Sequence, residues 1–245
     1  MASRIGVDIG GTFTDFILYS EKDNSITIDK IPTTPNEPQK AVIEVVKRNL
    51  DKVDIKEIEF FLHGTTVGLN ALLERKGSKV GMLCTKGFRD VIEIRRGDRD
   101  EMYTLFWQPD EPLVPRYLRL ELNERMFANG DIHTSLDEAE VQKACDLFIK
   151  EGVTSIAVCL INAYANNKHE KNIEKLLRKF GFKGYISLSS VVSGEYREYE
   201  RTTTTVIDSF VKARMSNYLN SLKDELNNLG FNGNFLVTRS GSGSM

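Results

Sequence analysis

Two short apolar runs, Arg4-Ile5-Gly6-Val7 and Phe16-Ile17-Leu18-Tyr19, flank the octet Asp8-Ile9-Gly10-Gly11-Thr12-Phe13-Thr14-Asp15. That pattern predicts strand, tight Gly-Gly turn, strand. Ser25–Lys30 continues it as a third strand beyond a turn at Lys22-Asp23-Asn24. Pro32, Pro35 and Pro38 punctuate a loop into an amphipathic helix with Ala41, Val42, Val45, Val46 and Leu50 on one face. Ile58–Leu62 reads as a buried strand, Gly68–Lys76 as a helix stopped by Gly77, and Val80–Cys84 as another strand. From Gly87 to Asp131 the pattern is less regular, with charges and prolines prominent.

A second α/β stretch follows: helix at Leu136–Glu151, strand at Ser155–Leu160, helix at Lys168–Phe180 and strand at Tyr185–Leu188. Gly194–Leu229 reads as a long helical region with a break expected near Ala213, and Phe235–Val237 as a last strand. The succession implies a mixed sheet with helices packed against it.

Composition narrows the class. The 245 residues are 40% hydrophobic and 28% charged, ordinary globular material. The net charge of -2 offers no basic excess to meet nucleic-acid phosphates. The local run Arg95-Arg96-Gly97-Asp98-Arg99 interleaves its cations with acid and reads as a solvated or anion-facing loop. Cys84, Cys145 and Cys159 are far apart and lack Cys-x-x-Cys spacing, so neither a disulfide framework nor a zinc site is expected. Cys84 and Cys159 end apolar runs and read as buried strand thiols, which fits a reducing cytoplasm. Met1-Ala2-Ser3-Arg4 leads straight into the first strand, so no signal peptide is expected. No apolar run approaches membrane-spanning length.

Four segments carry candidate chemistry. In Asp8–Asp15, Gly10 and Gly11 permit backbone angles that other residues resist and let main-chain N–H groups face an anion. Thr12 and Thr14 add hydroxyls, and Asp8 at the strand end suits a hydrated Mg²⁺. An ordinary hairpin is the alternative, but two acids and two threonines around the turn favour nucleotide phosphate. It is neither a Walker loop nor a dinucleotide fingerprint.

His63-Gly64-Thr65-Thr66 falls at a strand-to-helix junction, where free N–H groups suit an anion or carbonyl. Thr65 and Thr66 as simple helix caps, with His63 tying down the loop, is the competing reading. In Gly194–Arg201, Glu198 and Arg201 are spaced i,i+3 and Arg197 and Arg201 i,i+4, so they share a helical face; a solvated surface helix gives the same pattern. Thr202–Thr205 are unusual in a helix and hint at packing or a hydroxyl-lined site. Thr85–Asp90 follows a strand as a ligand loop would, or as a capped turn would.

Taken in order, these segments resemble the hydantoinase A / 5-oxoprolinase family of ATP-dependent cyclic-amide hydrolases, to which acetone and acetophenone carboxylase subunits are related. Asn70–Gly77, Leu113–Arg116, Tyr164-Ala165-Asn166 with His169-Glu170, and Arg197–Asp208 add to the resemblance, which spans nearly the whole chain. It implies an actin-like ATPase fold of ribonuclease-H-like lobes with an inserted α/β region. On that basis residues 1–85 are the first part of the nucleotide lobe, 86–190 the insertion, and 191–245 a helical return segment. It implies ATP and Mg²⁺ as cofactors, with a monovalent cation as a further candidate, a small cyclic amide as substrate, and a hydantoinase B-type partner subunit.

By the same resemblance Asp8 is the metal carboxylate. Gly10, Gly11, Thr12 and Thr14 form the first phosphate loop, and Asp15 either supports it or positions the metal. His63, Thr65, Thr66 and Arg201 are candidates at the reacting atoms, with Arg89 and Arg96 weaker ones. Arg95, Gly97, Asp98 and Asn167 depart from the family pattern, and family members continue for several hundred residues more. The Ser240-Gly241-Ser242-Gly243 tail reads as a native stretch cut through, so the chain alone is expected to be inactive. The rival readings are a sugar or acyl kinase of the same superfamily, a carboxylase subunit, and a non-catalytic assembly module.

Overall fold

The structure, a computed structural model, describes residues 3–34, 37–97, 99 and 101–238. The Ser/Gly tail, Pro35 of the proline-punctuated loop and Asp98 of the arginine run lie outside the described residues. In chain order the elements are β1 (Ser3–Ile9), β2 (Phe13–Ser20), β3 (Ser25–Pro32), α1 (Pro38–Arg48), β4 (Ile58–Thr65), α2 (Val67–Leu73), β5 (Val80–Thr85) and α3 (Val91–Ile94). There follow β6 (Arg119–Leu122), β7 (Arg125–Met126), β8 (Ile132–Thr134), α4 (Glu138–Lys150), β9 (Ser155–Cys159), α5 (Lys168–Lys179), β10 (Tyr185–Leu188), α6 (Ser189–Val192), α7 (Glu198–Asn228) and β11 (Asn234–Val237).

The chain divides into two compact units. One joins the residues up to Lys76 with those from Arg214 onward; the other is Gly77–Ala213. The division falls inside α7, which runs unbroken from Glu198 to Asn228; the expected break near Ala213 does not occur.

The first unit is built on a five-stranded mixed sheet in the order β11-β4-β1-β2-β3. β1 is parallel to β4 and antiparallel to β2, and β11 is parallel to β4. This is the mixed-sheet α/β lobe that the motifs imply. Strand alternation sorts the two faces. Ile5, Val7, Ile9, Phe16, Leu18 and Phe61 turn inward, where Ala41, Val42, Val45 and Val46 of α1 and Tyr218, Leu222 and Leu226 of α7 cover them. Pro38 sits in the first turn of α1, where its missing N–H costs nothing. On the opposite face Phe13, Ile17, Ile26, Ile28 and Leu62 are exposed.

The second unit holds a parallel sheet in the order β10-β9-β5-β6. Every residue of β5 and β9 is buried, as befits central parallel strands covered on both faces. A Cβ on Gly81 of β5 would lie 2.6 Å from the Phe148 ring of α4, so glycine is what lets that helix dock. Cys84, Cys145 and Cys159 are unpaired and buried, and burial pushes the Cys84 thiol up to about 12. None of the described helices is long and apolar enough to cross a membrane.

Candidate functional site

The Asp8–Asp15 octet forms the β1–β2 hairpin. Ile9 pairs with Thr14, and the Gly10 amide donates to the Phe13 carbonyl at 2.9 Å, leaving Gly10–Phe13 as the turn. Neither glycine takes a positive φ, contrary to the expectation that the turn exploits their backbone freedom. What they supply is room. A Cβ on Gly10 would sit 3.3 Å from the Phe13 carbonyl oxygen, and one on Gly11 3.7 Å from Asn70 Nδ2. Gly11 and Thr12 are exposed.

Thr14 is fully buried. Its hydroxyl meets that of Thr33 at 3.0 Å, and Thr33 Oγ1 donates to the Gly10 carbonyl at 3.0 Å. The Thr33 amide donates to the Thr12 carbonyl at 2.9 Å. Thr14 thus braces the turn from beneath rather than presenting its hydroxyl to solvent.

Strand register lines up the acids. Gly64 of β4 stands beside Asp8 of β1, Asp8 opposite Asp15 of β2, and Asp15 opposite Lys30 of β3. Lys30 Nζ lies 2.8 Å from Asp15 Oδ1, so Asp15 is held by a cation while Asp8 has no ion-pair partner among the described residues. A Cβ on Gly64 would lie 2.6 Å from Asp8 Oδ1 and 3.6 Å from Thr238 Oγ1. Glycine at 64 therefore makes space for the Asp8 carboxylate. The next row along the strands, Leu62, Gly6, Ile17 and Ile28, is apolar, and with Asp8 and Asp15 it lines an open trench of about 420 Å³.

The end of β4 carries the other motif. His63 is fully buried, Nε2 is 2.7 Å from the Tyr218 hydroxyl, and the ring stacks on Phe235 at 6.3 Å. Burial holds its pKa down at about 4, so the imidazole is neutral. Thr65 Oγ1 accepts from the Val67 amide at 3.1 Å, and Thr66 donates from both amide and hydroxyl to the Ile9 carbonyl at 3.2 Å. Thr66 occupies the cap position of α2 without a side-chain capping bond; its hydroxyl is spent on the β1 end instead. Asn70 Nδ2 reaches Thr66 Oγ1 at 3.4 Å. A cleft of about 240 Å³ opens here, lined by Gly10, Gly11, Thr33, Thr66, Asn70 and Arg214.

Unit two holds the remaining candidates. Arg201 is 1% exposed, and its donors are spent inside the unit. Nε donates to Ser189 Oγ (3.1 Å), Nη1 to the Glu195 and Tyr196 carbonyls (2.5 and 3.1 Å), and Nη2 to the Leu160 carbonyl (2.9 Å). Ser189 bonds Glu170 in turn, and that buried carboxylate also accepts from the Leu160 and Ser190 amides and the Ser190 hydroxyl. Arg96 pairs with Glu200, and Arg89 Nε lies 4.0 Å from Asp90 Oδ1. A second buried chain joins Thr85, Glu124 and His169, with His169 Nδ1 2.7 Å from Glu124 Oε2. Thr205 donates to the Arg201 carbonyl at 2.6 Å, which explains one of the four threonines as internal packing.

Among the described residues no group of three or more His, Cys, Asp or Glu converges to hold a metal. A hydrated Mg²⁺ needs as little as one protein carboxylate, and Asp8 is a carboxylate with no ion-pair partner among the described residues, so the donor set present is compatible with such an ion. Tyr218, Thr33, Lys30 and Arg214 join this neighbourhood without a sequence motif that marks them, and Asn70 joins it from the Asn70–Gly77 motif. Gly64, which stands beside Asp8, sits inside the His63–Thr66 motif.

The family described as the hydantoinase/oxoprolinase N-terminal region matches residues 4–181. An uncharacterised protein of Methanocaldococcus jannaschii is 38% identical over 246 residues, covering 99% of this chain and 36% of that protein. The acetophenone carboxylase gamma subunit of Aromatoleum aromaticum is 32% identical over 262 residues, covering 99% of this chain and 35% of the subunit. The crystal structure of the ATP-dependent caprolactamase from Pseudomonas jessenii superposes with a TM-score of 0.87 at 31% identity, covering 98% of this chain and 36% of that one. The chain thus spans about a third of the length of the relatives it matches.

Proposed function

Because the chain belongs to the hydantoinase/oxoprolinase family, matching its N-terminal region, we propose that it carries the first phosphate loop and the metal carboxylate of an ATP-dependent cyclic-amide hydrolase. One observation carries this reading: Asp8 stands without an ion-pair partner among the described residues, beside Gly64 at the carboxyl ends of the parallel strands β1 and β4 and next to the exposed Gly11-Thr12 turn. Ligands of open α/β sheets gather at such ends.

On this proposal the amides and the Thr12 hydroxyl of the turn receive phosphate oxygens. Thr14 and Thr33 hold the turn in shape, and Lys30 keeps Asp15 from competing with Asp8. Mg²⁺ on Asp8 would neutralise charge on the transferring phosphoryl group. His63, closed off from solvent, serves as a support of β4, and Arg201 as a support of the second unit. Thr65 and Thr66 fasten the end of β4 to β1.

The chemistry asked of ATP follows from amide resonance, which leaves the carbonyl weakly electrophilic. The amide oxygen attacks the γ-phosphorus, and the bond from phosphorus to ADP breaks. Water adds to the imidate carbon, the ring C–N bond opens with nitrogen taking a proton, and a second water releases phosphate from the acyl phosphate. A ketone carboxylase subunit is the second reading. The carboxylase gamma subunit and the caprolactamase structure match at nearly equal identity, 32% and 31%. In either case a B-type partner subunit is proposed to complete the enzyme.

The test is an assay of ADP release from ATP by the protein with its partner subunit, offering hydantoin, 5-oxoproline or caprolactam in one arm and a ketone with bicarbonate in the other. Release stimulated by a lactam or imide supports the hydrolase. Release stimulated only by the ketone selects the carboxylase, and none in either arm overturns both.

A further inference from the structure

Tyr218 has no part in the sequence motifs, yet it is the one polar group of α7 in the first unit's core. It is 5% exposed, and its hydroxyl lies 2.7 Å from His63 Nε2 across 155 residues of chain. The same hydroxyl faces the Thr65 side chain. The other imidazole nitrogen, Nδ1, is buried beside the Val7 backbone with no acceptor in good bonding geometry among the described residues. Tyr218 thus stands between the buried imidazole and the half-buried Thr65, whose Oγ1 accepts from the Val67 amide.

Directions follow from what each group can do. A neutral imidazole carries one N–H, and the Val7 side offers a backbone carbonyl, so Nδ1 keeps the proton and Nε2 accepts. Tyr218 then donates to Nε2 and accepts from the Thr65 hydroxyl, which leaves a Thr65 lone pair for the Val67 amide. The protons between His63, Tyr218 and Thr65 then run in one consistent order. The residues so ordered bracket Gly64, whose missing side chain makes room for Asp8, and Thr66, which holds the Ile9 carbonyl next to Gly10.

We infer that Tyr218 is a positioning residue for the nucleotide site: by locking His63 and Thr65 it sets the end of β4 against which the Asp8 carboxylate and the Gly10–Phe13 turn are placed. The inference rests on the proposal that this turn receives nucleotide phosphate. Burial supports it, since loss of either partner of the buried Tyr218–His63 bond leaves the other polar group unsatisfied at a cost.

The test compares wild type, Tyr218→Phe and the double variant His63→Leu/Tyr218→Phe, reading thermal stability and Mg-ATP affinity by calorimetry. Tyr218→Phe strands the buried Nε2 and is expected to lower both. The double variant removes both partners together and is expected to regain stability, because no buried acceptor is left unpaired. If Tyr218 positions the site, Mg-ATP affinity stays weaker by about tenfold (about 1.4 kcal/mol) in the double variant despite its recovered stability. Affinity that returns together with stability makes the pair a packing feature and overturns the inference. Failure of wild type itself to bind Mg-ATP removes the nucleotide reading and the inference with it. Long-range ¹H–¹⁵N spectra of His63 supply a check independent of nucleotide: the proton is expected on Nδ1, and a proton found on Nε2 overturns the assigned order.

Discussion

At the scale of single residues, Asp8 is approached closely on one side, by Gly64. Gly64→Ala places a methyl where only 2.6 Å separates it from Asp8 Oδ1. The variant is expected to weaken Mg-ATP binding at least tenfold, while the inward-facing core of the unit stays intact. Calorimetric titration beside a thermal melt checks both halves; unchanged affinity would mean that the Asp8 position is immaterial.

His63 offers a pH test. Its folded pKa of about 4 lies below the ordinary 6.5, so between those values the unfolded chain binds a proton that the native imidazole refuses. Stability is therefore full above pH 6.5 and falls as pH drops toward 4, by about 3 kcal/mol across that window. Urea unfolding from pH 7 to pH 4 should show this slope, and His63→Leu should flatten it. Asp8, Gly64 and His63 were all visible as motif residues. Tyr218 was not, because a contact between residues 155 apart leaves no local pattern.

At the scale of elements, apolar alternation was enough to find β1, β2, β3 and the buried face of α1, since each buries one side only. The same signal misplaced a break in α7, for a simple reason. Thr202–Thr205 are weak helix formers, but Lys212-Ala213-Arg214-Met215 are strong ones, so α7 runs on through Ala213. Pattern also favoured a solvated face for Arg197 and Arg201. Arg201 is instead buried on Ser189, Leu160, Glu195 and Tyr196, partners drawn from the residue after β9, from α6 and from the turn before α7. Between β5 and α4 the fit is steric. Gly81→Ala should drive a methyl into the Phe148 ring and cost about 1–3 kcal/mol, measurable by denaturant titration. A cost near zero would show that α4 can shift freely on the sheet.

At the scale of the whole molecule, the two units divide the candidate chemistry. The first brings together Asp8, the Gly10–Phe13 turn, Gly64 and the cleft beside Asn70 and Arg214; the second holds Arg201, Glu170 and the Thr85–Glu124–His169 chain as internal supports. The family and the mixed-sheet lobe were legible from the ordered motifs alone, and the match over residues 4–181 agrees. What the motifs could not convey is which motif residues face outward. Thr14 and His63 carry suitable chemistry but are sealed inside, and only strand register decides that.

The central claim, that Asp8 and the Gly10–Phe13 turn hold a metal nucleotide, is tested most directly by adding Mn-ATP to ¹⁵N-labelled protein and reading paramagnetic broadening at the Gly10 and Gly11 amides. The account predicts strong broadening in wild type that is lost in Asp8→Asn. Sharp Gly10 and Gly11 signals in wild type, or equal broadening in both proteins, would contradict it.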